Sequence, residues 1–146
     1  MEKIIERSAL VAFSAQQMFD LVDDITRYPH FMDGCVDSEE LLRTDELVEA
    51  RLCLQKGKIK QSFVTRNQLF PNSRIEMKLV EGPFRILEGV WEFEQLGDVG
   101  CKVSLRLVFE FKNKILDLTA SPWFESIGGQ LVDAICKRAE FLYSAA

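Results

Sequence analysis

The sequence has few of the residues that usually carry catalysis or bind metals. Its 146 residues include one histidine, His30, and four cysteines that form no Cys-x-x-Cys pair. A zinc site therefore lacks the usual ligand spacing, and a Ser–His or Cys–His catalytic arrangement would have to use His30. Glycine-rich phosphate loops, dinucleotide fingerprints and the Gly-x-Ser-x-Gly nucleophile elbow are also missing. We therefore expect no catalytic residue, no metal and no cofactor.

Long apolar runs are missing as well. No stretch approaches the ~18 apolar residues of a membrane span, and the segment Met1–Arg7 has no apolar run suited to a signal peptide. The scattered cysteines are expected to be buried free thiols in a reducing compartment, which predicts a cytoplasmic protein. They are Cys35, Cys53, Cys101 and Cys136.

Length and charge set further bounds. A chain of 146 residues is expected to form one domain, residues 1–146, with a sizeable core. The net charge of −5 argues against broad non-specific binding of nucleic acid but leaves room for a local basic patch. Eleven phenylalanines indicate an interior rich in aromatic rings.

A long amphipathic helix is predicted over Ser121–Tyr143. Ser121 suits the N-cap, and Pro122 suits the first helical position, where a missing N–H costs nothing. Gly128 and Gly129 either allow close approach to a sheet or leave room for something else. Apolar residues recur at steps of three and four and predict one buried stripe, made of Phe124, Ile127, Leu131, Ile135, Ala139 and Leu142.

The N-terminal part predicts a strand and two short helices. The strand covers Ile4–Phe13 and stops at Ser14, which forms a capping box with Gln17. The first helix is expected to run to about Ile25, and Pro29 is placed to open the second.

Alternating polar and apolar residues from 35 to 111 predict about six antiparallel strands. Turn signals lie at 56–58, 71–73, 82–83 and 96–98. Strands followed by one long helix indicate an α+β fold in which the helix covers the sheet. The apolar rows expected to face the helix are Ile75, Met77 and Leu79, then Leu87, Gly89, Trp91 and Phe93, then Val103, Leu105, Leu107, Phe109 and Phe111.

Large aromatic and apolar residues are concentrated between the predicted sheet and helix, with Tyr28 and Phe31 near the rim. They form either a filled core or an apolar cavity of the kind that holds ligands. The sequence leaves both alternatives open. The inward residues include Phe63, Met77, Trp91, Phe93, Phe109, Phe111, Trp123 and Phe124.

Charge is unevenly distributed between residues 37 and 66. An acidic block at 37–49 is followed by an acid-free run at 51–66 that contains five basic residues. Neighbouring strands could pair the two blocks across the sheet, or the run could offer a basic hairpin to phosphate on RNA or lipid headgroups. The basic residues are Arg51, Lys56, Lys58, Lys60 and Arg66.

Several motifs together resemble one family over nearly the whole chain. They are residues 13–19, Tyr28-Pro29-His30-Phe31, Thr65-Arg66-Asn67-Gln68, Gly82-Pro83-Phe84 with Leu87, Gly89, Trp91 and Phe93, Phe109-Glu110-Phe111, Arg138-Ala139 and Tyr143. The chain resembles the coenzyme Q-binding proteins and bacterial ribosome association toxins of the START-like, polyketide cyclase/dehydrase superfamily. The resemblance implies a helix-grip fold, in which a curved antiparallel sheet wraps around a long C-terminal helix and encloses a hydrophobic cavity.

The resemblance implies two functions, and our main expectation is the first. It is non-catalytic binding of ubiquinone or another polyprenyl lipid to support respiration, with possible peripheral membrane contact. The alternative is binding to the large ribosomal subunit and blocking subunit association, through Lys56, Lys58, Lys60 and Arg66. An enzymatic cyclase or dehydrase role, with His30 or a buried carboxylate as acid–base group, is a third hypothesis. The predicted ligand contacts are Tyr28, Phe31, Phe63, Met77, Leu87, Trp91, Phe93, Phe109, Trp123, Phe124 and Leu131.

Overall fold

A computed structural model describes residues 1–144 and shows a curved, seven-stranded antiparallel sheet with a long C-terminal helix. The strand order is β1-β7-β6-β5-β4-β3-β2. The strands are β1 Lys3–Val11, β2 Cys35–Arg43, β3 Leu47–Lys56, β4 Ile59–Phe70, β5 Arg74–Glu81, β6 Phe84–Leu96 and β7 Gly100–Phe111. The helices are α1 Ala15–Asp23, a 3₁₀ helix Ile25–His30 and α2 Lys114–Tyr143. The α+β helix-grip prediction, with two short helices after the first strand, is confirmed.

The predicted apolar rows face α2. In the central strand pair, Leu87 lies opposite Phe109 and Trp91 opposite Leu105, and all four side chains are buried. The residues between them in sequence, such as Glu88, point to solvent. This alternation is the period of two that a half-buried strand imposes on its side chains.

The N-terminal helices agree with the prediction except at Pro29. The Ser14 hydroxyl accepts a hydrogen bond from the Gln17 amide at 3.1 Å, and the Gln17 side chain accepts one from the Ser14 amide at 2.9 Å. The capping box is therefore present. The 3₁₀ helix begins at Ile25, and Pro29 lies inside it instead of opening it. Ile25 and Tyr28 are three residues apart and both buried, so burial of these two side chains sets its position.

The predicted start of α2 is wrong. The helix begins at Lys114, and its N-cap is Asn113, whose side chain accepts from the Leu116 amide at 3.0 Å. Ser121 is buried and donates to Asp117 at 2.9 Å, which leaves Pro122 inside the helix. Pro122 lacks the N–H that would bond the carbonyl four residues earlier. It lies on the exposed side of the helix, where water can satisfy that carbonyl.

The buried stripe of α2 also differs from the prediction at its C-terminal end. Leu142 is 43% exposed, although the 3.6-residue period placed it in the core. Tyr143 takes the inward position instead, and its ring centroid lies 5.9 Å from that of Phe13. Trp123 and Val132 are buried as well, which widens the stripe beyond the predicted row.

Gly128 brings α2 close to the sheet. A Cβ at this position would lie 2.5 Å from Cδ1 of Ile5 in β1 and 3.3 Å from Cδ2 of Leu107 in β7. Any larger side chain must therefore displace one of two buried residues. The first of the two alternatives for this glycine, close approach to the sheet, is confirmed.

The cysteines are free thiols, three of them buried and Cys136 half-buried. Burial raises the pKa of the Cys35 thiol to about 11, and it does the same for Cys136 together with nearby Asp133. Within residues 1–144, no cluster of histidine, cysteine, aspartate or glutamate could hold a metal ion. No helix in this range is long and apolar enough to cross a membrane.

The thiols of Cys35 and Cys136 are expected to resist modification in the folded protein. At pH 8, a thiol with a pKa near 11 carries about a hundredfold less thiolate than an ordinary one, and the thiolate is the reactive form. Titration with a chromogenic disulfide reagent should therefore be slow in native buffer, faster as the pH rises toward 11, and should reach four equivalents in guanidinium chloride. Reaction of native Cys136 at the rate of a free thiol would contradict this.

Candidate functional site

An apolar cavity of about 90 Å³ lies between the sheet and α2. It has almost no polar lining, apart from Thr65, Asp33 and the Tyr28 ring. The interior is thus mostly a filled core with a small residual hollow. Seven of the predicted ligand contacts lie on its wall: Tyr28, Phe63, Met77, Leu87, Trp91, Phe124 and Leu131.

The other predicted ligand contacts lie elsewhere. Phe93 and Phe109 pack within the core, where the Phe109 ring centroid is 4.7 Å from that of Phe124. Trp123 is buried but lies away from the cavity wall. Phe31 is half-buried and lines an adjacent surface cleft, which shares Met32, Asp33, Ile127 and Leu131 with the cavity wall.

Two buried polar residues of β4, named above only as part of a family motif, were not predicted as site residues. Thr65 lines the cavity and donates to the Asn67 side chain at 2.9 Å. Thr65 and Asn67 lie on the same inner face of β4 as Phe63, because side chains of a strand alternate between its two faces. This alternation was the signal that could have located them. The buried Tyr28 hydroxyl donates to the Val22 carbonyl, and burial raises its pKa far above the ordinary value. These polar groups therefore satisfy one another and the backbone.

A larger surface cleft of about 650 Å³ lies between the end of the 3₁₀ helix and the C-terminal half of α2. The Arg138 guanidinium carbon lies 5.2 Å from the Phe31 ring centroid and 5.3 Å from that of Phe141. The cleft also contains the exposed His30. The cleft was not predicted from the sequence. The signal that could have located it is Phe141, an apolar residue that follows Lys137 and Arg138 and lies outside the predicted buried stripe.

The predicted basic hairpin is formed by β3 and β4 and ends in a two-residue turn. Gly57 adopts φ +59° at the first turn position, the left-handed conformation that a type II′ turn favours in glycine. Strand β5 pairs with β4 only from Val64 onward, so the end of the hairpin projects beyond the neighbouring strand. We call its three exposed lysines, Lys56, Lys58 and Lys60, the hairpin tip.

The basic residues divide into two groups. Arg51 pairs across the sheet with Asp37 at 3.2 Å and Glu39 at 3.0 Å, and Arg66 pairs with Glu49 at 2.6 Å. Cross-strand pairing therefore accounts for both arginines. The lysines of the hairpin tip form no ion pair with any carboxylate of residues 1–144.

Comparison with known proteins identifies the family. The family described as polyketide cyclase / dehydrase and lipid transport matches residues 11–136. Ribosome association toxin RatA of Pseudomonas aeruginosa is 43% identical over 95% of this chain and 96% of its own. A mitochondrial coenzyme Q-binding protein homologue of Xenopus laevis is 28% identical over 93% of this chain and 57% of its own. In structure, an aromatase/cyclase of Streptomyces sp. R1128 superimposes with a TM-score of 0.86 at 14% identity, over 100% of this chain and 99% of its own.

These findings overturn the main functional expectation. Ubiquinone binding in support of respiration is wrong as the primary assignment, because the relatives at about 43% identity are named for ribosome association and the coenzyme Q-binding relative is distant. The interior agrees, since a cavity of about 90 Å³ is smaller than the ~300–1,000 Å³ of typical ligand pockets. The chain belongs to the polyketide cyclase / dehydrase and lipid transport family, alongside the ribosome association toxins.

Proposed function

We propose that the protein binds the large ribosomal subunit through the hairpin tip and thereby blocks association of the two subunits. The observation that carries this proposal is the position of the three lysines. They are exposed at the end of a projecting hairpin and have no carboxylate partner within residues 1–144. Unpaired, clustered ammonium groups of this kind suit the phosphates of RNA.

The charge of the rest of the chain supports a selective contact. The whole chain, with the three lysines included, has a net charge of −5, so the remaining surface is acidic and repels RNA. Only a partner that meets the hairpin tip is therefore favoured. Three neutralised phosphates should give a slope of about −2 to −3 in log affinity against log salt concentration. This role needs no chemical step, and it places the protein in the cytoplasm with the ribosomes.

Reversing the charge of the three hairpin-tip lysines tests the proposed function. The variant Lys56→Glu, Lys58→Glu, Lys60→Glu is expected to lose co-sedimentation with large subunits at low salt. Its melting temperature should stay nearly unchanged, because the three side chains are exposed and unpaired. Sucrose-gradient sedimentation and circular dichroism measure the two quantities on the same preparation.

A matched control separates a specific contact from net charge. The variant Lys78→Glu, Lys102→Glu, Lys112→Glu changes the net charge equally at three other exposed lysines. It should retain most of the subunit binding. Equal loss in both triple variants would indicate non-specific attraction, and a wild-type protein that never sediments with subunits would refute the proposed function.

A further inference from the structure

The cleft beside the C-terminal end of α2 contains an arginine in an unusual setting. Arg138 is held between the rings of Phe31 and Phe141, and it forms no ion pair within residues 1–144, although Asp133 lines the same cleft. Phe141 is 72% exposed, and its burial contributes little to the core. An aromatic ring and a guanidinium plane are thus presented together to solvent.

The chemistry of the cleft suits an unpaired nucleotide. Its volume of about 650 Å³ is within the range of small-molecule sites. Splayed RNA bases stack on aromatic side chains and on arginine planes, and the adjacent Lys137 can meet a phosphate. The carboxylates of Asp33 and Asp133 can accept hydrogen bonds from the amino groups of adenine, cytosine or guanine.

The surface cleft adjoins the base of the β3–β4 hairpin that carries the hairpin tip. The Gln55 amide, next to Lys56, donates to the Gly34 carbonyl at 2.8 Å. Gly34 in turn packs against Ile127 of α2, since a Cβ on Gly34 would lie 2.9 Å from Ile127 Cδ1. Asp33 and Ile127 both line the cleft. One extended partner surface can therefore reach both the hairpin and the cleft.

We infer that this cleft is a second RNA contact, in which an unpaired base stacks on Phe141 and Arg138 while the neighbouring phosphate meets Lys137. The inference rests on the proposed function for the identity of the RNA as ribosomal.

Binding of a labelled nine-nucleotide oligoadenylate, followed by fluorescence anisotropy at low salt, tests the cleft directly. Phe141→Ala is expected to weaken binding about 5- to 150-fold, the range for loss of one stacked base. Arg138→Lys keeps the charge and removes the planar group, so it should weaken binding while leaving the salt dependence unchanged. The control is Leu142→Ala, an adjacent and partly exposed residue outside the cleft, which should bind as the wild type does.

The outcomes distinguish this inference from the proposed function. Wild-type oligoadenylate affinity in both Phe141→Ala and Arg138→Lys would overturn the cleft contact. If these variants also sediment normally with large subunits while the lysine reversal does not, the cleft inference fails and the proposed function stands. If oligoadenylate binding needs Phe141 but the wild type never sediments with subunits, the cleft stands and the ribosomal assignment fails. Phe141-dependent binding to phosphatidylglycerol vesicles without oligoadenylate binding would also overturn the inference.

Discussion

Replacing Phe124 by alanine is expected to lower the free energy of unfolding by about 3–5 kcal/mol. Phe124 projects from α2 into the aromatic core, where its ring centroid lies 4.7 Å from Phe109 and 5.1 Å from Phe84. The side chain is 5% exposed and also borders the interior cavity. Truncation removes the apolar burial and enlarges an existing hollow, which the close-packed surroundings can refill only in part.

This loss is a large share of the ~5–15 kcal/mol that stabilises a typical domain. Urea denaturation of the wild type and the variant, monitored by tryptophan fluorescence and circular dichroism, measures it. Phe141→Ala is the matched control, because it removes the same side chain from an exposed position of the same helix. The control should change stability by less than about 0.5 kcal/mol. Equal effects of the two substitutions would show that α2 does not pack on the sheet as described.

The variant Gly128→Val is expected to destabilise the protein by about 1–3 kcal/mol, the usual cost of overpacking a core. A Cβ at this position already lies 2.5 Å from Ile5 Cδ1, and the two γ-methyl groups of valine must enter the same space. Ile5 is 2% exposed and Leu107 is 5% exposed, so neither can move aside into solvent. Ile5, Leu107 or the helix itself must therefore shift from its packed position.

Substitution of the neighbouring Gly129 is expected to have the opposite effect on stability. A Cβ there would lie 3.1 Å from Nη2 of Arg7, the far end of a flexible side chain that can shift. Gly129→Ala should consequently raise stability by up to about 1 kcal/mol, from the higher helix propensity of alanine. Thermal or urea denaturation of both variants measures the contrast. A Gly128→Val protein as stable as the wild type would contradict the close approach of α2 to the sheet.

Local chemistry made much of the fold predictable. Ser14 and Gln17 form the predicted capping box because both partners lie within one turn of helix. The start of α2 was predicted wrongly because two competing signals lay close together. Ser121-Pro122 reads as a helix start, but the Ser121 hydroxyl bonds to Asp117, one turn earlier in a helix that Asn113 caps. Several residues near a helix start can serve as the N-cap, and tertiary packing decides which of them does.

The packing of the interior was only partly predictable from the sequence. Alternation along β6 and β7 predicted which side chains face inward, because the period of a strand leaves only two faces. It did not predict how completely those side chains fill the space. The small residual cavity depends on how closely α2 approaches the sheet at Gly128, a distance set by side chains from separate strands.

By itself, the sequence determined the order of strands and helices, their inward faces and the presence of an acid-free basic run between Arg51 and Arg66. Only the tertiary structure decided which of these basic residues are available to a partner. Register across β2, β3 and β4 brings carboxylates to both arginines. The lysines lie at the end of the β3–β4 hairpin, beyond the parts paired with β2 and β5, and have no carboxylate partner within the described residues. The packing of the same elements brings Gly34 against Ile127 of α2. The base of the β3–β4 hairpin therefore lies beside the surface cleft that Phe141 lines. Contacts between residues so distant in the chain have no local pattern, because they arise from the packing of whole elements.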